Sequence, residues 1–401
     1  MNEFCRAGHE LDAKTFAAIR RRTILEGCKW DPQVEDVSTL ARFPLIMRAS
    51  IWKSLARSAE LLATEAVAAE SEILQKPKLL EGLGLPRRLL NVLRADEQVS
   101  PAALRVIRFD FHPTTAGWRI SEANSDVPGG YSEGSFFTGL VNAEFPELRP
   151  AGNPGASFAE QLLRNTEGQG TVALMAAPGY MEDQQVISFL AKNIRERNCA
   201  ATLCQPSQLE WRGGDAFLHG DRVRALVRFF QSEWLAKLQN SFGWRNYFRG
   251  GNTPLANPGS AIVTESKRFP LIWNELSTEL PTWRALLPET RDPREVPWRA
   301  DESWILKTAF CNTGDTVSIR ALMKSCEWAR AQWSARFFPN QWIAQRRFES
   351  VPIETPDGPR HVCVGVYTID GRAAGAYCRL SPKPLIDFAA TDVALLLEKD
   401  E

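Results

Sequence analysis

The chain carries two strand-like runs, Ala103-Leu-Arg-Val-Ile-Arg-Phe-Asp-Phe111 and Trp118-Arg-Ile-Ser-Glu-Ala-Asn-Ser-Asp126. The segment between them, His112-Pro-Thr-Thr-Ala-Gly117, contains a proline and a glycine, which are typical of a turn. Runs rich in β-branched and aromatic residues on both sides of such a segment predict a β-hairpin.

The first run alternates in polarity. Successive side chains of a strand point to opposite faces, so Ile107, Phe109 and Phe111 share one face. Arg108 and Asp110 share the other face. This second face is polar on an otherwise apolar strand, and it is the first candidate for a functional surface.

The second run places Glu122 and Asn124 on one face as well. If Pro113–Gly117 forms a five-residue loop, Arg108 lies opposite Glu122, and Asp110 lies diagonal to it. The hairpin would then bring three oxygen ligands and one cation together.

These three oxygen-bearing side chains suit a metal–nucleotide site. Mg²⁺ prefers hard oxygen ligands and often takes one or two carboxylates together with substrate phosphates, which Asp110, Glu122 and Asn124 could complement. The alternative is a solvated hairpin face with an ordinary cross-strand ion pair. Because Asp, Glu and Asn are common on exposed strands, the pattern taken alone favours the alternative.

The bulk composition disfavours several classes of protein. The 401 residues carry 48 Lys plus Arg and 48 Asp plus Glu, so no general field attracts nucleic acid or an anionic membrane. The eight cysteines form no C-x-x-C pair, which argues against a zinc site or a disulfide framework. With no long apolar run and no signal-like N-terminus, we expect a cytoplasmic protein with neither nucleic acid nor membrane as its partner.

Four regions are predicted along the chain. Residues 1–100 form a helical N-terminal region, because apolar residues recur there at helical spacing. Residues 101–150 contain the metal-binding hairpin. Residues 151–260 alternate strand, helix and strand as in a Rossmann-like subdomain, without a G-x-G-x-x-G turn. Residues 261–401 form a nucleotide-binding lobe, with strands at Trp304–Lys307, His361–Thr368 and Ala373–Arg379.

Arg108-Phe-Asp110, followed by Glu122-Ala-Asn124-Ser-Asp-Val-Pro128, resembles the R-F-D and E-x-N-x-D-x-P signature of glutathionylspermidine synthase-like proteins. The resemblance implies a circularly permuted ATP-grasp fold of mixed α+β and α/β type, with a Rossmann-like preATP-grasp subdomain. It also implies that Asp110, Glu122 and Asn124 hold two magnesium ions, and that Arg108 contacts the transferring phosphate or the reacting carboxylate.

Two lysines extend the resemblance. Lys267, before a Phe-Pro-Leu-Ile-Trp segment, and Lys307, at the end of Trp304-Ile-Leu-Lys307, resemble the family's two nucleotide-binding lysines. A lysine supplies a compact positive charge to phosphates. Lys307 leads into Phe310-Cys-Asn-Thr-Gly314, where relatives carry F-G-R-E-G. Gly314 is the retained glycine and a candidate nucleotide contact, whereas the first glycine and the charged pair are lost.

Two further positions complete the resemblance. Gln345 stands on the strand that leads to the family's adenine pocket. The run Gly371-Arg-Ala-Ala-Gly-Ala-Tyr-Cys-Arg379 resembles the family's G-x-x-A-G-x-x-x-R strand, whose arginine faces the site of phosphoryl transfer. Arg379 is therefore a candidate catalytic residue together with Arg108.

The activity that the resemblance implies is an ATP- and Mg²⁺-dependent carboxylate–amine ligation through an acyl phosphate, with release of ADP. The partners would be a small-molecule or peptide carboxylate and an amine, and a homodimer is left open. The altered glycine loop raises the alternative of a catalytically silent ATP-grasp relative that binds nucleotide or acts as a scaffold. A third interpretation is a Rossmann-like metabolite-binding protein.

Overall fold

The computed structural model describes residues 4–34, 37–166, 170–310 and 317–400 and has a mixed α+β architecture. No helix in these ranges combines the length and the apolar character that a membrane crossing requires. The α-helices in the described ranges are α1 (Ala13–Leu25), α2 (Ala49–Gln75), α3 (Arg87–Leu93), α4 (Thr138–Asn142), α5 (Pro154–Asn165), α6 (Met181–Arg195), α7 (Ser232–Leu235), α8 (Ile262–Glu265), α9 (Pro281–Leu286) and α10 (Ser325–Phe337).

Short strands dominate the rest of the described chain. They are β1 (Arg6–Ala7), β2 (Gln33–Val34), β3 (Val37–Ser38), β4 (Leu45–Arg48), β5 (Ala102–Leu104), β6 (Val106–Thr114), β7 (Gly117–Asn124), β8 (Arg149–Pro150), β9 (Thr171–Ala176), β10 (Ala201–Cys204), β11 (Leu209–Arg212), β12 (Asp215–Leu218), β13 (Asp221–Phe229), β14 (Leu255–Ala256), β15 (Thr290–Arg291), β16 (Trp304–Thr308), β17 (Val317–Ser318), β18 (Trp342–Arg346), β19 (His361–Ile369), β20 (Arg372–Ser381), β21 (Thr391–Val393) and β22 (Leu395–Glu398).

Two sheets position the candidate site. The central sheet is antiparallel, with strand order β21-β20-β19-β6-β7, and the lobe sheet has order β15-β18-β16-β17. A third, mixed sheet contains β10-β9-β13-β12-β11, with β14 and β5 added beside β13. A smaller sheet, β1-β4-β22-β8, joins the two ends of the chain. Residues distant in sequence are thereby brought to one region.

The predicted hairpin is present as β6 and β7. Its alternation has the expected consequence, because Ile107, Phe109 and Phe111 are buried in the main apolar core. The opposite face is not solvated, however. Arg108 is 6% exposed and Asp110 is 1% exposed, and both line a cleft. The interpretation of this face as an ordinary solvated hairpin surface is therefore wrong.

The pairing expected within the hairpin is also wrong. Arg108 lies opposite Asn124 and Asp110 lies opposite Glu122, because the turn is shorter than the five-residue loop and a bulge follows it. Gly117 permits the tight turn, since its φ of +86° is accessible to glycine at little cost. The bulge lies between Asp110 and Phe111, and it brings the two carboxylates to the same level of the sheet.

The predicted strand–helix–strand order is present in the third region. β9 and β10 pair in parallel, with α6 between them in the chain, and β13 adds to the other side of β9 in parallel. The residues of β9 are almost entirely buried, as expected for a strand inside a parallel arrangement. Glu182 and Asp183 lie in the first turn of α6, just beyond the carboxyl end of β9.

The first 100 residues contain more than the helices expected there. α2 follows the expected helical spacing, with Leu55, Ala59, Leu62 and Ala66 buried on one face. The run Leu45-Ile-Met47 instead forms strand β4, which pairs with β22 near the C-terminus. A short apolar run reads equally well as a buried strand or a buried helix segment, and only its partner strand distinguishes the two.

The C-terminal region contains the strands expected from the sequence. Trp304–Lys307 lies in β16, and the hairpin predicted around Asp370-Gly371 is formed by β19 and β20. Both turn residues have positive φ, as a tight hairpin turn requires. The turn expected at Cys311–Asp315, including the candidate nucleotide contact Gly314, lies outside the described residues.

Candidate active site

A cleft of about 340 Å³ runs beside the central sheet. Its walls come from the central sheet, the lobe sheet, the first turns of α6 and two further segments, 28–34 and 384–392. The predicted residues Arg108, Asp110, Glu122, Asn124, Lys307 and Arg379 line it. The topology thus gathers residues that are separated by up to 271 positions into one cavity.

Asp110 lies at the centre of this group. Arg108 donates to both of its carboxylate oxygens, at 2.8 and 3.0 Å, and Arg379 donates to Oδ2 from strand β20 at 3.0 Å. Burial by itself would raise the pKa of Asp110, but the two guanidinium groups outweigh it and lower the pKa to about 2. Asp110 is therefore ionised at any physiological pH, and it holds two cations side by side.

Glu122 and the two lysines lie next to Asp110. The Nζ of Lys267 is 3.1 Å from Oε2 of Glu122, and the Nζ of Lys307 donates to the carbonyl oxygen of Ser121 at 3.1 Å, at the bulge. The backbone N–H of Lys267 bonds to the carbonyl of Ala309, just past β16. Burial opposes ionisation of Glu122, yet Lys267 gives this carboxyl a lowered pKa. Lys267 therefore contacts an acid of the hairpin directly, and Lys307 contacts the hairpin's backbone.

Arg108, Arg379 and Lys307 line this part of the cleft, and Lys267 contacts Glu122 from outside the lining. These four cations face three carboxyl groups, which are Asp110, Glu122 and Glu265, so cations are in excess. An excess of buried positive charge is costly unless an anion compensates it. We call this part the cationic end of the cleft, and its charge suits a polyphosphate.

The candidate metal ligands were tested against the same geometry. The side-chain N–H of Asn124 donates to Oδ2 of Asp110 at 3.4 Å, so the amide oxygen of Asn124 does not face that carboxylate. Within the described ranges, no three His, Cys, Asp or Glu side chains converge as a metal-binding group. The donors present are two carboxylates and one amide oxygen. They have the right chemistry for Mg²⁺, but both oxygens of Asp110 already accept bonds from arginine.

Two buried polar atoms near the cationic end lack hydrogen-bond partners in the described part of the structure. One is Nε of Arg379, and the other is Oε1 of Gln345, whose amide nitrogen donates to Thr290 at 3.0 Å. Gln345 pairs with Ile305 in the lobe sheet. Ile305 lines the cleft, and Gln345 is not among the lining residues. Buried unpaired polar atoms in a native protein call for a partner, and a bound ligand is one.

A neighbouring part of the cleft is acidic. Lys29 lies 2.8 Å from Glu133, 3.3 Å from Asp31 and 3.6 Å from Asp392, so one ammonium group serves three carboxylates. Burial raises the pKa of Asp392 to about 6 even though Lys29 stabilises its charge. Glu182 and Asp183 add further carboxyl groups on the α6 wall. We call this region the acidic end.

Asp183 differs from the other carboxyl groups of the acidic end in its burial and its hydrogen bonding. It is 5% exposed, and its Oδ2 has no hydrogen-bond partner among the described residues. Burial raises its pKa to about 7, with Glu182 adding to the shift. Gln231, also in the lining, has an Oε1 that finds no hydrogen-bond partner in the described ranges. Sequence reasoning did not identify this end, although Glu182 and Asp183 follow a parallel strand, at the edge where α/β sheets bind ligands.

With this geometry established, comparison with known proteins defines the class of the molecule. The sequence profile of the family described as "Glutathionylspermidine synthase preATP-grasp" matches residues 45–395. The chain therefore belongs to this family, as its motifs led us to expect. A search of curated proteins returned no significant match.

Solved structures extend the comparison to the fold. The apo structure of a glutathione synthetase-like effector (GSS30) from Globodera pallida aligns over 97% of this chain and 98% of that one, with a TM-score of 0.63 at 12% identity. A putative γ-glutamylcysteine synthetase from Methylobacillus flagellatus aligns over 82% of this chain and 88% of that one at 10% identity, with a TM-score of 0.39. The first match shows a shared fold, and the second is too distant to carry an argument.

Proposed function

We propose that this protein is an ATP-dependent carboxylate–amine ligase with a circularly permuted ATP-grasp arrangement. The observation that carries the proposal is the meeting of the β6–β7 hairpin with Lys267, Lys307 and Arg379, although the hairpin is far from all three in sequence. Family membership supports the same assignment. Roles for individual residues are part of the proposal.

At the cationic end, the lysines and the arginines would contact different phosphates of a bound triphosphate. Lys267 and Lys307 would hold the nucleotide's inner phosphates, since each provides a compact positive charge. Arg108 and Arg379 would stabilise the outer phosphoryl group as charge moves across it. Both arginines now share Asp110, and a phosphoryl group would give them a second anionic partner.

Magnesium bound by Glu122, Asn124 and Asp110 would neutralise part of the phosphate charge during transfer. For Asp110 to join this set, an arginine must exchange one of its bonds to the carboxylate for a bond to phosphate. For Glu122 to join it, Lys267, whose Nζ lies 3.1 Å from Oε2, must likewise exchange this contact for one to phosphate. The hairpin thus supplies oxygen ligands, and its cationic neighbours keep them ionised.

The acidic end suits the amine substrate. An ammonium group can be bound by Asp183, Glu133 and Asp392, which lie with Lys29 in a region of net negative charge. The reaction would proceed when a substrate carboxylate oxygen attacks the γ-phosphorus and ADP leaves. The deprotonated amine then attacks the acyl carbon, the amide C–N bond forms, and inorganic phosphate leaves. The chain positions the reactants and supplies charge, and no covalent enzyme intermediate is needed.

The direct test is nucleotide turnover. Purified protein with Mg²⁺ and ATP is incubated with glutathione and spermidine, then with a panel of peptide acids and polyamines, and the nucleotides are separated by chromatography. We expect substrate-dependent formation of ADP and phosphate. Formation of AMP and pyrophosphate would instead indicate an adenylating enzyme and would contradict the proposal.

A second candidate function is a nucleotide-binding protein without turnover. The observation in its favour is Asp110, whose two oxygens are both held by arginines. Calorimetric titration with ATP in the presence and absence of Mg²⁺ separates the two. Tight binding that does not respond to Mg²⁺, with no ADP formed across the panel, would favour the silent protein.

A further inference from the structure

Tyr377 lies between the two arginines of the cationic end. It precedes Arg379 by two positions on β20, so both side chains are on the same face of the strand. The centroid of its ring is 5.3 Å from the guanidinium carbon of Arg108 and 5.4 Å from that of Arg379. Both distances are within the range of cation–π attraction.

The hydroxyl group of Tyr377 reaches the acidic end. It donates to Oδ1 of Asp392 at 2.7 Å, and the other oxygen of Asp392 is 3.6 Å from Nζ of Lys29. Burial raises the pKa of Tyr377 well above its usual value, so the group remains a neutral phenol that can donate this bond. One side chain therefore touches the charged groups of both ends of the cleft.

The ring is also held by the backbone. Gly130 has φ of +93°, and a Cβ placed there would lie 2.4 Å from Cδ1 of Tyr377. The neighbouring carbonyl of Gly129 accepts a bond from Arg108 at 2.8 Å. A residue with a side chain at position 130 would displace the ring, so the segment next to Arg108 is shaped to fit Tyr377.

Two guanidinium groups that share one carboxylate repel each other, and a cation–π contact to each of them offsets part of that repulsion. We propose that Tyr377 is a positioning residue that holds Arg108 and Arg379 together through its ring, with its hydroxyl anchored on Asp392, and so gives the cleft its preference for a nucleotide with a third phosphate. This inference rests on the proposed nucleotide binding at the cationic end. It adds that the preference for ATP over ADP depends on an aromatic ring that contacts both arginines.

The test compares two nucleotides in one experiment. The dissociation constants of the non-hydrolysable ATP analogue AMP-PNP and of ADP are measured by titration calorimetry with Mg²⁺ present. Tyr377→Leu removes the ring and should reduce the AMP-PNP preference by roughly tenfold, mainly through weaker AMP-PNP binding. Tyr377→Phe keeps the ring and should stay within about threefold of the wild-type ratio.

The control is Tyr247→Leu, because Tyr247 is a buried tyrosine whose hydroxyl contacts Met175 in another part of the chain. It should leave the ratio unchanged, which distinguishes positioning from general loosening. If Tyr377→Leu does not fold, Asp392→Asn takes its place, since it weakens the anchor without removing the ring, and should reduce the ratio by a smaller factor.

The outcomes separate the inference from the proposed function. Wild-type protein that binds neither nucleotide would overturn both. Wild-type protein that prefers AMP-PNP, with an unchanged ratio in folded Tyr377→Leu or, in its place, in Asp392→Asn, would overturn only the role of Tyr377. Equal loss of affinity for both nucleotides would also overturn it, because that result indicates a structural effect on the whole cleft.

Discussion

Arg379 donates a hydrogen bond to Asp110 at 3.0 Å, although 269 residues separate them in the chain. The contact exists because β19 pairs with β6 on one side and with β20 on the other. Strands that are far apart in sequence therefore share one sheet. The pair is buried, and taking its two charges out of water costs about as much as their attraction returns. A buried ion pair is therefore weak evidence for a role in stability. Under the proposed function, it holds Arg379 where the phosphoryl group would bind.

The role of Glu122 can be tested by removing its charge while keeping its shape. Glu122→Gln should fold normally, because the side chain is partly exposed and the substitution is isosteric. Its substrate-dependent ADP release should fall by at least roughly a hundredfold, as expected when a charge-stabilising group is lost from an active site. The measurement is ADP release, with thermal unfolding as the folding check.

Glu289→Gln is the control for this substitution, since Glu289 is exposed and pairs with Arg291 on strand β15. It should turn over at the wild-type rate. Wild-type turnover by Glu122→Gln itself would remove the support for a metal role of the hairpin.

The lysine of β16 is predicted to act in binding. Lys307→Met keeps the length of the side chain and removes its charge, and we expect the dissociation constant for ATP to rise roughly 10- to 100-fold, the usual effect of losing a charge-assisted hydrogen bond. Lys307 is buried and its ammonium group donates to the carbonyl of Ser121, so thermal unfolding is measured alongside as the folding check. Titration with ATP and Mg²⁺ measures the change. Lys324→Met, at an exposed position before α10, should bind like wild type; equal affinity in both variants would argue against a phosphate contact by Lys307.

Parts of this site could be predicted from the sequence because their signals are local. The alternation of Ile107 and Phe109 with Arg108 and Asp110 needs only neighbouring residues, and it correctly indicates which face joins the core. The pairing within the hairpin could not be predicted in the same way. It depends on a bulge that the surrounding sheet stabilises, and nothing between Asp110 and Glu122 identifies it.

The meeting of the hairpin with Lys267, Lys307 and Arg379 was expected only through the family resemblance, since no local property of the chain requires it. The acidic end was missed for a related reason. Lys29, Glu133 and Asp392 belong to three separate segments, and each looks like an ordinary charged residue until the fold brings them within ion-pair distance. Charge clusters of this kind are properties of topology and not of any one segment.

Gly365 on β19 is predicted to be essential for the arrangement around Asp110. A Cβ at this position would lie 2.9 Å from Cδ of Arg108 and 3.0 Å from Oδ1 of Asp110, closer than real contacts allow. Gly365→Ala should therefore lower the free energy of unfolding by about 1–3 kcal/mol, the usual cost of overpacking, and should weaken ATP binding. Urea unfolding and nucleotide titration measure the two effects.

Gly139→Ala provides the matched control, because Gly139 lies in α4 with open space where its Cβ would be. This substitution should be neutral or slightly stabilising, since alanine has the higher helix propensity. If Gly365→Ala is as stable and as active as Gly139→Ala, then the close approach of Arg108 to β19 has no functional importance.

Asp183 should affect stability and binding in opposite directions. Burial raises its pKa from 3.8 to about 7, so between these values the folded protein binds more protons at this group than the unfolded chain does. The free energy of unfolding should then fall as pH rises through this window, by at most about 1.4 kcal/mol per pH unit from this group. Asp183→Asn removes that dependence, so the variant should be more stable than wild type at pH 7.5 and similar to it near pH 4.

Asp183→Asn should also bind spermidine more weakly, because the uncharged amide cannot attract an ammonium group. Urea unfolding at the two pH values and spermidine titration measure both quantities, with the exposed Asp221→Asn as the control. A variant that loses stability at pH 7.5, or that binds spermidine as well as wild type does, would show that Asp183 is not kept for binding a cation.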